Sequence, residues 1–75
     1  MTDYIEALKQ GREIVVAFPD TNNNCAVFYM VNGKLHCWSR AIGEFEHTRT
    51  LEEMQWWFGL MKNRGAEVII CGYTD

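Results

Sequence analysis

The chain is short of most features that announce a chemistry. No apolar run approaches the ~18 residues of a membrane-crossing helix, and Thr2-Asp3 is acidic where a secretory leader would be basic. A cytoplasmic protein is the expectation. The one serine, Ser39, sits in no nucleophile elbow, and no glycine-rich phosphate loop is present. Basic residues are few, seven against ten acidic, for a formal charge of −3. That balance excludes a protein that tracks a nucleic-acid backbone, which needs a cationic field, and it is too mild for a nucleic-acid mimic. Two distant histidines and three scattered cysteines make no usual metal-ligand pattern, so no metal and no cofactor is expected. Cys25, Cys37 and Cys71 are odd in number and lie among apolar residues, which reads as reduced, buried thiols rather than a disulfide framework.

What is abundant is apolar material. Hydrophobic residues make up 48% of 75 positions, with three Trp, three Tyr and four Phe. One domain, residues 1–75, is the expectation. A domain this small buries only about 60% of its unfolded surface. Some of these side chains should therefore stay on a monomer's surface, which favours a homodimer.

The clearest local signal is Asn32-Gly33 between two β-rich runs. Asn-Gly supplies the two positive-φ residues of a two-residue type I′ turn. That turn fixes the register: Val31 opposite Lys34, Met30 opposite Leu35, Tyr29 opposite His36, Phe28 opposite Cys37, Val27 opposite Trp38. Alternation then gives one core face (Phe28, Met30, Leu35, Cys37) and one mixed face (Val27, Tyr29, Val31, Lys34, His36, Trp38). The Cys37–His36 neighbours point to opposite faces and make no catalytic dyad.

Elsewhere, Thr2 is the expected N-cap of a helix over residues 3–10, with Gly11 at its C′ position. Residues 13–18 read as a strand apolar on both faces, ended by Pro19, and residues 20–24 as a polar turn. Residues 40–49 show no period and are expected to form a loop. Thr50-Leu-Glu-Glu53 is a capping box that opens a helix over residues 51–63. Leu51, Met54, Phe58 and Met61 form its core stripe, with Trp57 at the edge and Trp56 and Leu60 on the far side. Gly65 ends it. Residues 66–73 read as a strand, and their two-sided apolarity points to the sheet interior. The fold expected is α+β, in the order α-β-β-β-α-β, with two helices on one face of a four-stranded, mainly antiparallel sheet.

Three constellations carry functional readings. Val27, Tyr29 and His36, with Trp38, form either a dimer or packing surface or a stacking platform for a planar ligand. Trp56 and Leu60 are either a partner hot spot or sit beneath a folded-back loop through Ile42 or Phe45. Trp38, Arg40, His47 and Arg49 combine an aromatic plane with cations near a helix N-terminus, which fits a base joined to a phosphate; alternatively Arg49 pairs with Glu44 or Glu46 in a solvated loop.

Residues 4–15 (Tyr-Ile-Glu-Ala-Leu-Lys-Gln-Gly-Arg-Glu-Ile-Val) resemble the helix–Gly–strand opening of several small phage proteins, among them an anti-defence family that sequesters nucleotide signals. The tryptophan that follows in that family is missing here. The functional expectation is a small non-catalytic interaction protein of accessory or inhibitor type, with a phage or mobile-element source in view. Its partner is another protein. The alternative is a binder of a nucleotide-like small molecule.

Overall fold

The computed structural model describes residues 2–18 and 24–73. The elements are α1 (Tyr4–Lys9), β1 (Arg12–Phe18), β2 (Asn24–Val31), β3 (Lys34–Ser39), β4 (Gly43–Glu46), α2 (Leu51–Asn63) and β5 (Glu67–Tyr73). They form an α+β fold with a five-stranded sheet in the order β4-β3-β2-β1-β5, every pair antiparallel. Pro19 and most of the polar turn expected over residues 20–24 lie outside the described residues.

The β2–β3 hairpin has the register that Asn32-Gly33 implies, from Val31↔Lys34 to Val27↔Trp38. Asn32 at φ 50° and Gly33 at φ 79° supply the two left-handed residues of the turn.

The sheet has five strands, not four. Residues 43–46 of the expected loop pair with β3 as a short edge strand. Gly-Glu-Phe-Glu offers a single apolar residue, so its alternation is too brief to register as a pattern. What holds it is the antiparallel pairing with β3 and Phe45, which turns inward to the core. Glu46 also lies 3.5 Å from the Lys34 ammonium and Glu44 3.3 Å from His36 Nδ1, contacts of exposed carboxylates that add little. Gly43, at φ 87°, takes the left-handed conformation that the reversal from β3 requires.

β5 lies at the sheet edge beside β1, not in the interior expected from its composition. Its two-sided apolarity has a different cause: one face packs under the helices and the other belongs to an apolar face that no described helix covers. A register shift between Arg12 and Ile14 marks a bulge near the far end of β5, and Arg12 Nε donates to the Cys71 carbonyl there at 2.9 Å.

Both helices lie on one face of the sheet. Tyr4 and Leu8 of α1 and Met54 and Phe58 of α2 close over Ile14, Val16, Phe28, Leu35 and Cys37. Rings dominate the centre: Phe58 is 5.1 Å from Tyr4, 5.2 Å from Phe28 and 5.6 Å from Trp57, in tilted or edge-on arrangements. The capping box of α2 is complete, with Thr50 Oγ1 accepting from Glu53 N–H and the Glu53 carboxylate from Thr50 N–H. Its C-terminus is a Schellman motif. Ala66 N–H donates to the Met61 carbonyl and Gly65 N–H to the Lys62 carbonyl, with Gly65 at φ 95°. The N-cap of α1 is Asp3, one residue later than the Thr2 expected; the Asp3 carboxylate accepts from Glu6 N–H at 3.0 Å.

Candidate functional site

The open face of the sheet gathers the residues that alternate away from the core. Val15 and Ala17 come from β1, Val27, Tyr29 and Val31 from β2, His36 and Trp38 from β3, and Ile69 from β5. The registers set Val15 beside both Val27 and Ile69, and Val27 beside Trp38. Trp38 is 39% exposed and Ile69 47%. Tyr29 and His36 stack with ring centroids 6.0 Å apart. No described helix lies over this surface, because α1 and α2 both pack on the other side.

Carboxylates rim the apolar centre. Glu44 and Glu46 stand on β4 at one margin and Glu67 on β5 at the other, opposite Ala17. Desolvation raises the pKa of the Tyr29 phenol, and the negative charges of Glu44 and Glu13 push it the same way. The His36 Nδ1 atom is buried and makes no aligned hydrogen bond despite lying 3.3 Å from Glu44. Lys34, also on this face, is beside Glu46.

The structure therefore brings together four of the residues singled out in the sequence, Val27, Tyr29, His36 and Trp38. Trp56 and Leu60 lie elsewhere, on the outer side of α2. Trp56 is 66% exposed, and the expected alternative, a loop folded over it, is not formed: Ile42 stands 73% exposed and Phe45 packs inward. These two residues border a shallow depression with Thr2, Gln55 and Gly59.

Trp38, Arg40, His47 and Arg49 are not gathered at one place. Trp38 faces Glu44 across the open side. His47 belongs to the helix side, its ring 5.8 Å from Phe28 and 6.0 Å from Phe45. Arg40 precedes β4 and Arg49 follows it, so the strand separates the two cations. At the start of α2 the capping box already occupies Thr50 and Glu53, Glu52 adds a second carboxylate to the first turn, and Arg49 N–H donates to His47 Nδ1 at 3.3 Å. A hollow beside this terminus is lined by Lys34, Glu46, His47, Thr48 and Arg49, and includes neither Trp38 nor Arg40.

His47 carries a pH dependence. Its burial, and secondarily the Arg49 charge, lower its pKa below the ordinary 6.5. The folded state thus disfavours the imidazolium, whose Nδ1 would also stop accepting from Arg49. The unfolded chain takes the proton first as pH falls. The stability contributed is intact above about pH 6.5 and declines as pH drops from there through the folded-state pKa. The expected result is a thermal midpoint that falls between about pH 7 and pH 5, with a shallower fall in His47→Gln. Equal slopes in the two proteins would remove His47 as the cause.

Cys37 sits in the core with its thiol pKa pushed up to about 11 by burial, so it is protonated at neutral pH. Among the described residues no group of three or more His, Cys, Asp or Glu is placed to hold a metal ion, and no helix is long and apolar enough to cross a membrane.

No family model matches the chain, and neither a curated protein nor a solved structure matches it significantly.

Proposed function

We propose that this chain is a non-catalytic interaction protein of accessory or inhibitor type, and that its working surface is the open face of the sheet. The observation that carries the reading is the uncovered apolar strip through Ile69, Val15, Val27 and Trp38, with the Tyr29–His36 stack beside it. A strip of this kind, bordered by polar groups, marks a contact surface. The acidic rim selects the partner's chemistry. Glu44, Glu46 and Glu67 complement a protein surface with an apolar centre and basic groups around it, and they repel a phosphate. The protonated, buried Cys37 supports a binding role over a nucleophilic one.

The test is affinity capture followed by calorimetry with the purified partner. Trp38→Ala and Tyr29→Ala are each expected to weaken binding about thirtyfold, the scale of a hot-spot aromatic near 2 kcal/mol. Trp56→Ala, on the opposite side of the molecule, is expected to bind as the unaltered protein does. The reverse pattern would move the contact surface to α2. Purification with bound material absorbing in the nucleotide band, lost in Arg49→Ala, would favour the nucleotide-binding alternative.

A further inference from the structure

The two edges of the sheet are built differently. β4 has four residues, two of them glutamates, which is how sheets blunt an edge against further pairing. β5 has seven residues, Glu-Val-Ile-Ile-Cys-Gly-Tyr, with one charge and no proline. Its register with β1 is regular from Glu67 to Ile70, and no described strand pairs with its outer side. The peptide groups that alternate outward along that side form a template for another strand.

We infer that the outer edge of β5 pairs antiparallel with β5 of a second copy of this chain, joining two five-stranded sheets into one continuous sheet. The charge pattern selects this occupant. Around a two-fold axis at Ile69, that residue meets its own symmetry mate, Val68 lies opposite Ile70, and Glu67 lies opposite Cys71. Carboxylate never meets carboxylate. The Glu67 of each copy is carried instead toward the end of β5 where Arg12 holds the Cys71 carbonyl, so a negative group approaches a positive one. Stacking the open faces of two copies does the opposite. With the axis along the strands, β4 of one copy covers β5 of the other; with the axis across them, β4 covers β4. Both arrangements set Glu44 and Glu46 against glutamates. The edge pairing also leaves the open face uncovered, so it stands independently of the function proposed for that face.

The experiment is sedimentation of the full chain across concentration, with hydrogen exchange read at the same concentrations. The unaltered protein and Trp38→Ala are expected to sediment as dimers at high micromolar concentration. Ile69→Lys, which sets two ammonium groups across the axis at a half-exposed position, is expected to dissociate at least tenfold more readily with an unchanged circular dichroism spectrum. Amides of β5 should gain protection on association, and those of β3 should not. A monomeric unaltered protein at several hundred micromolar overturns the proposal. So does a dimer that survives Ile69→Lys, or one lost in Trp38→Ala. If Ile69→Lys fails to fold, Ile69→Thr and the exchange pattern of the unaltered protein decide: protection without a change at β5 overturns the edge pairing.

Discussion

Phe58→Ala is expected to cost about 3–5 kcal/mol, the range for removing a fully buried ring. Phe58 has no exposed surface and packs edge-on or tilted against Tyr4, Phe28 and Trp57, which come from α1, β2 and its own helix. The cavity left by its loss is bounded by rings on several sides. Rings in staggered contact collapse poorly into a void, because each is held by its own neighbours. A chain of this length has a total stability of about 4–11 kcal/mol, so the substitution removes a large part of it. Urea unfolding gives the number directly. A loss under about 1 kcal/mol would mean that the surrounding rings close the gap, and that Phe58 is not the keystone of the aromatic cluster.

Gln55→Leu is expected to release α1 while leaving the sheet folded. A six-residue helix has negligible stability by itself. Its first turn is fastened by a side chain from α2: Gln55 Oε1 accepts from Tyr4 N–H at 2.9 Å and Ile5 N–H at 3.3 Å, and Gln55 Nε2 donates to the Thr2 carbonyl at 2.9 Å. Leucine keeps the bulk and removes all three bonds, leaving backbone donors unsatisfied at a part-buried site, at a cost of about 1–3 kcal/mol. Hydrogen exchange is the readout. Amides of residues 4–8 should exchange much faster in the variant, with those of β1–β3 nearly unchanged. An even acceleration across the chain would show that α1 opens only with the whole domain.

The parts of this fold written in local chemistry are legible from the sequence. The Asn32-Gly33 turn dictates a register down to individual pairs, and Thr50 with Glu53 marks the start of α2, because each signal is complete within a few residues. The parts that depend on distant partners are not. Gln55 looks like an ordinary polar helix residue until α1 is brought beside it. Glu44 and Glu46 look like loop residues until β3 supplies Lys34 and His36. β5 reads as an interior strand because two-sided apolarity does not say whether strands flank it on both sides or its second face is left open. The mixed face of Val27, Tyr29, His36 and Trp38 follows from the hairpin register alone. Residues 40–49 read as a loop able to bring Arg40 to His47 and Arg49 beside Trp38, and β4 instead places a strand between Arg40 and the other two.

The placement of β5 beside β1 has a consequence for how the chain reaches this structure. Strands β1 to β4 form a meander in which each pairs with its sequence neighbour, so their contacts close small loops. The pair Ala17↔Glu67 joins positions fifty apart. Closing a loop of that length costs about 3.5 kcal/mol of chain entropy on the logarithmic scaling, before any contact repays it. The meander can therefore form early, while the last strand must wait for α2 to fold and swing it back to β1. On a ribosome the same order is enforced by synthesis. Until residues 67–70 emerge, β1 is itself an unprotected edge, with Ile14 and Val16 lacking Ile70 and Val68 as neighbours. The final strand acts as a latch on a sheet that is already most of the way built, and the rate at which that latch closes sets how long the nascent chain shows an apolar edge to its surroundings.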